Sequence, residues 1–481
     1  MLMFREGRHD SGNNHVSESG RVAPGAIETA PRHASMKPER AGFHQLARYR
    51  HVLLLQGPNG PFFARLRDYL ESAGRRVSKV NFNGGDDLFY RRGAIVRFTE
   101  PMPTWEVFLR EMLVEQHVDA IVVFGSSRRH HRIAARLADD MGIAFWVFEE
   151  GYVRPDYITL EAGGVNADSP IAAWELDAMP ATQRPAQRRK FNHAFGKMAW
   201  YSFLYFGGGI GRRRMYPHYR HHKPFGLHEI ALWLRAAFRK HLYRRQECEI
   251  KARLLAENHP PFFLVALQVH NDSQIRVHSP WRRIEDFIEW TVYSFAHHAP
   301  ADSLLVIKHH PMDRGHTNYA GTVAECAQRF GATDRVLYVH DAHLPSLLHR
   351  CSGLVTVNST TGLQALYHRV PVIALGRCFY AKPGLTYQGS LDSFWTDSPP
   401  VDTRAFTRFR NSLIHVSQVN SSFYADATFV DVPEKRSQLR GPYGRLMSVC
   451  GLLAADVAGF NHVDISPVIR WASGLVLALA G

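Results

Sequence analysis

Short apolar runs alternate with amphipathic stretches in the first third of the chain. Runs of four to eight apolar residues predict buried strands, and apolar positions three or four apart predict helices. The predicted strands lie at 51–56, 76–82, 119–124 and 144–148. The predicted helices lie at 62–73, 108–117 and 132–141. Strands that alternate with helices form a parallel sheet covered on both faces, so residues 48–180 are predicted to form a Rossmann-type domain.

The same alternation returns in residues 259–400. Strands are predicted at 262–269, 303–308, 336–339, 353–357 and 371–375, and helices at 285–295, 345–350 and 361–368. Between the first strand and the first helix, residues 270–281 are predicted to form a polar loop. The fold class predicted from the pattern is therefore α/β, with two Rossmann-type domains whose parallel sheets face each other across a cleft.

Three further segments fall outside the two alternating blocks. Residues 1–47 are polar and lack periodicity, so they are predicted to form a disordered leader. Residues 181–258 are basic, aromatic and helical in pattern, and residues 401–481 are predicted to form a helical tail. The helix at 231–243 is roughly amphipathic, which fits either a membrane-surface helix or one packed at the domain interface. Its neighbourhood supplies four candidate membrane-contact residues: Arg213, Arg235, Arg239 and Lys240.

Charge and cysteine content restrict the partners. Lys and Arg total 58 against 44 Asp and Glu, which gives a net charge of +14 and favours an anionic partner. The chain has no signature of a nucleic-acid-binding motif, so nucleic acid is not expected. The five cysteines form no CxxC pair, which argues against a disulfide framework and indicates a reducing cytoplasm. No signal peptide or transmembrane helix is expected, because the apolar stretches are too short.

Polar clusters follow the predicted strands in both blocks. Ligands of parallel sheets bind at the carboxyl ends of the strands, so these clusters are expected to line the cleft. The clusters lie at 57–60, 83–86, 125–128, 149–151, 268–274, 308–311 and 358–362. The first block thereby supplies four candidates for the acceptor side or the cleft: Asn83, Asp86, Glu149 and Arg154.

Two adjacent carboxylates, Glu149 and Glu150, end a very apolar strand. Adjacent carboxylates raise one another's pKa, so one of them can act as a base or a nucleophile. Successive side chains of a strand point in opposite directions, so only one of the two needs to face the cleft. An ordinary acidic turn is the alternative interpretation.

The second block supplies cationic and hydroxyl groups. Lys308 and His310 end a strand, where they can neutralise or protonate a leaving phosphate, although a surface histidine pair is an equal alternative. Ser359 and Thr360 open a helix, where they can hold a phosphate or simply cap the helix. The loop that contains Gln268, Asn271 and Asp272 is dense in hydrogen-bonding groups, which suits either a polyhydroxylated ligand or a solvated loop.

Long strings within residues 48–400 resemble the KpsS/LipB-type capsule polysaccharide biosynthesis and export proteins of Gram-negative bacteria. The most specific strings are LQVHNDSQIRVHS and VNSTTGLQALYHRVPVIALG, at 267–279 and 357–376. The others are NFNGGD, EEGYVRPDYITLE, RRRMYPHYRHHKP, KHHPMDRG and FYAKPGLTYQG, at 81–86, 149–161, 212–224, 308–315 and 379–389.

The resemblance implies a GT-B-like fold and a retaining β-Kdo transferase that moves Kdo from CMP-Kdo onto a phosphatidylglycerol-type lipid. It implies that Glu150 is the catalytic carboxylate and that His310, helped by Lys308, assists departure of cytidylate. Ser359 and Thr360 would then hold the phosphate of the donor. Gln268, Asn271 and Asp272 are expected to bind the donor sugar, and neither a metal ion nor another cofactor is expected.

The same resemblance implies a place in the cell. The protein is expected to lie peripherally on the cytoplasmic face of the inner membrane, near an anionic lipid acceptor. A second Kdo transferase and the capsule export machinery are expected partners. The alternative function is a non-catalytic export factor that binds lipid-linked glycan.

Overall fold

The computed structural model describes residues 39–180, 189–191, 194–220, 227–425 and 429. The strands of these residues are β1 (His51–Leu54), β2 (Arg76–Asn81), β3 (Ala94–Arg97), β4 (Ala120–Phe124), β5 (Ala144–Glu150), β6 (Ile158–Ala162), β7 (Phe262–Ala266), β8 (Leu304–Lys308), β9 (Val336–Val339), β10 (Gly353–Thr356), β11 (Val372–Ala374) and β12 (Gln418–Val419). The α-helices are α1 (Phe62–Ser72), α2 (Gly84–Phe89), α3 (Trp105–Glu115), α4 (Arg129–Met141), α5 (Ala194–Gly211), α6 (Leu227–Gln246), α7 (Cys248–Leu255), α8 (Ser273–His278), α9 (Ile284–His298), α10 (Ala320–Arg329), α11 (Leu344–Leu348), α12 (Thr361–Tyr367), α13 (Leu391–Asp397) and α14 (Thr403–Ser417).

The first sheet has the strand order β3-β2-β1-β4-β5-β6-β12. Strands β1 to β5 pair in parallel, whereas β6 runs antiparallel to both β5 and β12. The prediction of a parallel sheet is therefore correct for five strands and wrong at this edge. The reason is the short connection between β5 and β6, which places Glu150 opposite Ile158. A parallel return would need a crossover of a dozen or more residues.

The second sheet is parallel throughout and has the strand order β9-β8-β7-β10-β11. Every residue of β7, β8 and β10 is buried, as expected for strands with helices on both faces. The order of strands reverses between β7 and β10, and in the first sheet between β1 and β4. Ligands of such sheets bind at these reversal points, so the two sheets confirm the predicted α/β, GT-B-like architecture.

All predicted strands and helices of the two blocks are present, with shifts of one to three residues at most ends. The polar loop predicted at 270–281 is wrong in part, because it contains the short helix α8. Six residues span fewer than two helical turns, so hydrophobic periodicity cannot reveal such a helix. The same limit applies to α2.

The basic segment contains α5, α6 and α7, and α5 packs closely on α2. Glycines make this contact possible. A Cβ atom on Gly84 would lie 2.1 Å from the carbonyl oxygen of Gly208, and one on Gly85 would lie 2.4 Å from the carbonyl oxygen of Tyr205. Only residues without a side chain allow the two backbones to approach so closely.

Helix α6 packs on the loop that follows β8, and this corrects the membrane assignment of Arg239 and Lys240, whereas that of the exposed Arg235 stays a prediction. Arg235 donates to the carbonyl of Gly315, and Arg239 donates to the carbonyl of Arg314 at 3.0 Å. The side chain of Lys240 is buried. The hydrogen bonds of Arg235 and Arg239 therefore hold α6 against the loop that follows β8.

The outer face of α6 is apolar, and Arg213 is exposed after α5. Leu234 and Phe238 lie one turn apart and are 62% and 68% exposed, with Trp233 and Leu242 beside them. The membrane assignment of Arg213 stays a prediction, since its side chain is accessible. None of the helices among the described residues combines the length and apolar character that crossing a bilayer requires.

The described residues shift two of the predicted segment boundaries. Residues 1–38 and nearly all of 426–481 lie outside the described part, so the leader and most of the tail are not addressed there. Phe43 and Leu46, however, are buried against the first sheet, which places them in the fold rather than in a leader that ends at 47. Helix α14 and strand β12 likewise return to the first sheet, so residues 403–419 are not a separate tail.

Candidate functional site

A cavity of about 480 Å³ lies between the carboxyl ends of the two sheets' strands. Nine of the residues predicted from sequence line it: Glu149, Glu150, Arg154, Gln268, Asp272, Lys308, His310, Ser359 and Thr360. Ser126 and Ser127, which follow β4, also line this cavity and contribute two hydroxyl groups. The two sheets thus bring together a carboxylate cluster on one side and cationic and hydroxyl groups on the other.

Gln268 and Asn358 bridge the reversal point of the second sheet. Gln268 follows β7 and Asn358 follows β10, and the Gln268 amide nitrogen donates to the Asn358 side-chain oxygen at 3.0 Å. The Asn358 backbone N–H returns a hydrogen bond to Gln268 Oε1 at 3.2 Å, and Gln268 also donates to Asp272 at 3.0 Å. Gln268 is therefore anchored at the floor of the cleft, and Asp272 is held beside it.

Both carboxylates at the end of β5 line the cleft and are only partly accessible. Burial raises the pKa of Glu149 to about 7; the hydrogen bond from the Glu150 backbone N–H opposes this rise, and the Glu150 charge adds to it. Burial also raises the pKa of Glu150, while Arg154 and the Tyr424 hydroxyl, 3.4 Å from Glu150 Oε1, act in the opposite direction. The pair can therefore accept a proton near neutral pH.

His310 stands on the opposite wall as a neutral imidazole. Burial, followed by the charge of Lys308, lowers the pKa of His310 to about 4. Its Nδ1 accepts the Met312 backbone N–H at 3.2 Å, so the proton of the neutral ring is on Nε2. At neutral pH His310 is consequently an uncharged ring that can donate a hydrogen bond from Nε2 to an anion. The positively charged imidazolium is not the form present before the reaction.

Lys308 is a cationic side chain on the same side of the cavity as His310. Burial, followed by the charge of Arg314, lowers the pKa of Lys308 to about 8, against the pull of Asp341 and Glu247. Its Nζ lies 3.4 Å from the carbonyl oxygen of His309, and no carboxylate of the described residues forms an ion pair with it. An ammonium group that is buried and forms no direct ion pair is well suited to bind an anion from solution.

A carboxylate that sequence reasoning missed supports this wall from behind. Glu247, between α6 and α7, accepts from the His340 backbone N–H at 2.7 Å and from the Asp341 backbone N–H at 2.9 Å. Asp341 in turn lies 3.2 Å from Arg314. No local pattern marks Glu247, because it pairs with residues 93 and 94 positions later in the chain.

Ser359 and Thr360 lie where β10 leads into α12. Ser359 Oγ accepts the Thr361 backbone N–H at 3.2 Å and donates to Thr361 Oγ1 at 3.0 Å. The Tyr380 hydroxyl donates to the Ser359 carbonyl and fixes the turn. The hydroxyl groups that face the cleft are thus held by the turn itself.

Three predicted site residues do not line the cleft, and their assignment is corrected. Asn83 caps α2 by accepting from the backbone N–H groups of Gly85 and Asp86, and its amide donates to the Tyr205 hydroxyl at 2.7 Å. Asp86 accepts from the same hydroxyl at 3.1 Å, so both side chains are buried and serve the packing of α5. Asn271 lies in an exposed turn and is not among the residues that line the cavity, whereas Gln268 and Asp272 of the same loop are.

The donor groups of the described residues do not assemble a metal site: no group of three or more His, Cys, Asp or Glu side chains is placed to hold an ion there. The cysteines of this part of the chain, Cys248, Cys326, Cys351 and Cys378, are unpaired.

Comparison with known proteins places the chain among capsule proteins. Residues 119–424 match the family model described as "Capsule polysaccharide biosynthesis protein". The chain is 40% identical over 382 residues to the Escherichia coli "Capsule polysaccharide export protein KpsS", covering 77% of this chain and 96% of that protein. It is also 40% identical over 396 residues to the Neisseria meningitidis serogroup B "Capsule polysaccharide modification protein LipB", covering 80% of this chain and 94% of that protein.

Among solved structures, a similar one is "Thermosulfurimonas dismutans KpsC, beta Kdo 2,7 transferase", at 13% identity and a TM-score of 0.33, covering 75% of this chain and 99% of that one. The residues matched by the family model, 119–424, include all the residues that line the cleft, from Ser126 onward. The chain belongs to the family of capsule polysaccharide biosynthesis proteins to which KpsS and LipB belong.

Proposed function

We propose that the protein is a retaining glycosyltransferase that moves Kdo from CMP-Kdo onto a phosphatidylglycerol-type lipid. One observation supports this most strongly. The cleft sets the Glu149–Glu150 pair against Lys308 and the neutral His310 within one cavity. A sugar held between these walls would meet a proton acceptor on one side and groups that stabilise a departing phosphate on the other.

In the proposed reaction, the bond between the anomeric carbon and the phosphate oxygen breaks, and its electron pair leaves with CMP. The acceptor oxygen forms the new bond to the anomeric carbon and loses its proton to a carboxylate. Glu150 serves either as that base or as a nucleophile that holds the sugar covalently between two displacements. Retention of configuration requires two successive displacements, which the nucleophile role of Glu150 provides; in the base role another group would have to make the first attack.

The negative charge that develops on CMP would be stabilised by protein groups instead of a metal ion. Lys308 supplies a positive charge, His310 Nε2–H supplies a neutral donor, and Ser359 and Thr360 supply hydroxyl groups at the phosphate. Donors placed where charge develops account for much of the rate enhancement of many enzymes. Gln268 and Asp272, fixed at the strand ends, are proposed to bind hydroxyl groups of the donor sugar.

The lipid acceptor implies a position at the cytoplasmic face of the inner membrane. The exposed Leu234 and Phe238 of α6, with the exposed Arg213 of the same basic segment, are the proposed contact. Apolar side chains entering the interface, aided by cations, are typical of peripheral membrane helices. A second Kdo transferase and the export machinery remain proposed partners.

A non-catalytic export factor that binds lipid-linked glycan is the competing function. Release of CMP from CMP-Kdo by purified protein, with a short-chain phosphatidylglycerol as acceptor and products sized by mass, separates the two. We expect Glu150→Gln to lower turnover by about 10²-fold or more with an unchanged melting temperature, because the charge is lost and the shape is kept. The matched control is Glu257→Gln, at an exposed position after α7.

Turnover of Glu150→Gln near that of the wild type would refute the catalytic role of this carboxylate. Absence of CMP release from the wild-type protein with donor and acceptor present would favour the export factor.

A further inference from the structure

A second cavity, of about 330 Å³, adjoins the cleft. The two share Tyr152, Arg154 and Gln364 as lining residues, so a molecule in one can reach into the other. We infer that this groove is the acceptor subsite and that it takes an anionic amphiphile, with a phosphate on Arg154 and Arg410 and a hydrocarbon portion on the apolar floor. The inference rests on the proposed transferase function and extends it by naming where the acceptor lies.

The floor of the groove is apolar and already buried. Leu363 of α12 and Phe406 and Leu413 of α14 line it, and each is less than a tenth exposed. Phe406, Arg410 and Leu413 are spaced four and three residues apart, which puts them on one face of α14. A hydrocarbon chain laid on this face would be removed from water, together with the apolar surface that the floor still exposes.

The charge of the groove favours an anion. Its lining includes Arg154 and Arg410 and contains no carboxylate. The guanidinium of Arg410 lies 5.9 Å from the centre of the Tyr367 ring and forms no ion pair within the described residues. The Arg154 side chain donates to the carbonyl of Gly151 through Nε, so its terminal nitrogens are directed away from that bond. Guanidinium groups offer several donors in a geometry that matches phosphate.

The wall between groove and cleft is held in place by Gln418. This residue of β12 accepts the backbone N–H groups of Tyr152 at 2.9 Å and Val153 at 3.3 Å through one side-chain oxygen. Its amide nitrogen donates to Thr159 Oγ1 at 3.0 Å. Tyr152, Val153 and Arg154 lie two to four residues after Glu150. The strand that directly follows α14 therefore fixes the position of the segment that carries Arg154.

This arrangement fits an acceptor whose reactive hydroxyl is separated from its hydrocarbon by a phosphate. The hydrocarbon would rest on Leu363 and Leu413, the phosphate would bind the two guanidinium groups, and the hydroxyl would extend past Tyr152 toward Glu150. An acceptor of this chemistry explains why an apolar groove with two cations opens into a strongly polar cleft.

The test measures binding of dihexanoyl phosphatidylglycerol, kept below its micelle concentration so that no membrane is present, to the full chain with CMP bound. We expect Arg410→Gln to weaken binding about 10-fold or more, since a charge-assisted contact to phosphate is lost. Arg410→Lys should recover part of the affinity. Arg404→Gln, on the same helix but outside the groove, is the matched control and should bind as the wild type does.

Two further ligands separate the contribution of the phosphate to the binding affinity from that of the acyl chains. Glycerophosphoglycerol, which lacks acyl chains, should bind more weakly than dihexanoyl phosphatidylglycerol yet remain sensitive to Arg410→Gln. Dihexanoylglycerol, which lacks the phosphate, should be insensitive to that change. Affinity of CMP should be the same in all variants, which shows that the cleft is intact.

Equal binding of dihexanoyl phosphatidylglycerol by the wild type and Arg410→Gln, or no binding by the wild type, would overturn the inference. Lipid binding that depends on Arg410 without any transfer of sugar would leave the groove standing and refute the transferase function. Transfer that is normal in Arg410→Gln at low acceptor concentration would refute the groove and leave the transferase function standing.

Discussion

Lys308 provides the sharpest test of how the cleft holds its donor. Its ammonium group is buried at the end of β8 with no ion pair among the described side chains, and its pKa is lowered to about 8. A phosphate bound here would form a direct ion pair with Lys308, which no carboxylate of the described residues does. Replacement by Met keeps the length and apolar stem of the side chain and removes the charge.

The size of the effect follows from the burial of the group. A hydrogen bond to a charged partner contributes about 1.5–3 kcal/mol, so Lys308→Met should weaken CMP binding about 10- to 150-fold at pH 7. With a pKa of about 8, roughly nine tenths of the lysine is protonated at pH 7 and about one tenth at pH 9. The affinity of the wild type for CMP should therefore fall by about tenfold over this range, because rising pH removes the cation.

The assay is calorimetric titration of CMP at intervals between pH 7 and pH 9.5. Glu149, whose pKa is raised to about 7, also ionises near the start of this range and adds negative charge to the cleft. That contribution is common to the wild type and Lys308→Met, so the difference between their pH profiles belongs to Lys308. Parallel profiles in the two proteins, or equal affinities at pH 7, would refute the assignment of Lys308 to the phosphate.

Four other outcomes are expected. His310→Ala should weaken CMP binding and slow CMP release without adding a pH dependence between 6 and 8, since the imidazole is already neutral there; a profile that loses an inflection near pH 6.5 would contradict this. EDTA should leave transfer unchanged, and inhibition reversed by a divalent ion would reject a metal-free reaction. Leu234→Ser combined with Phe238→Ser should reduce binding to anionic vesicles while CMP affinity stays constant; unaltered vesicle binding would exclude the α6 face. Gly84→Ala should lower the free energy of unfolding by about 1–3 kcal/mol in denaturant titration, because its Cβ would collide with α5, whereas Gly207→Ala has open space and should be tolerated.

The local pattern of apolar residues was sufficient to predict the strands that are buried on both faces. Strands such as β7 and β8 are continuous apolar runs in which every residue is buried. Such runs are typical of strands covered by helices on both faces, so the sequence alone predicts them. The polar residues that follow those runs were also predictable, because chain direction in a parallel sheet places strand ends at one edge. Glu150, Lys308 and Gln268 were identified in this way.

Side-chain direction within a polar loop was not predictable. Gln268 and Asn271 belong to one short string, yet the first is anchored to Asn358 and the second is exposed. Asn83 carries the same residue type at an equivalent strand end, but its hydrogen bonds go to α2 and Tyr205. Which partner such a side chain meets depends on a residue that is 90 or 122 positions away.

The amino-acid sequence by itself determined the two α/β blocks, the strand-end positions of the carboxylate pair and of the Lys308–His310 wall, and the family of the chain. The tertiary structure alone decided that both carboxylates reach the same cavity, that His310 is neutral, and that Arg239 of α6 packs on the loop after β8. It also decided that α14 returns to build a second groove beside the cleft. The physical reason is that strands and their ends are set by nearby residues, whereas burial, charge neighbours and packing partners are set by residues that only folding brings together.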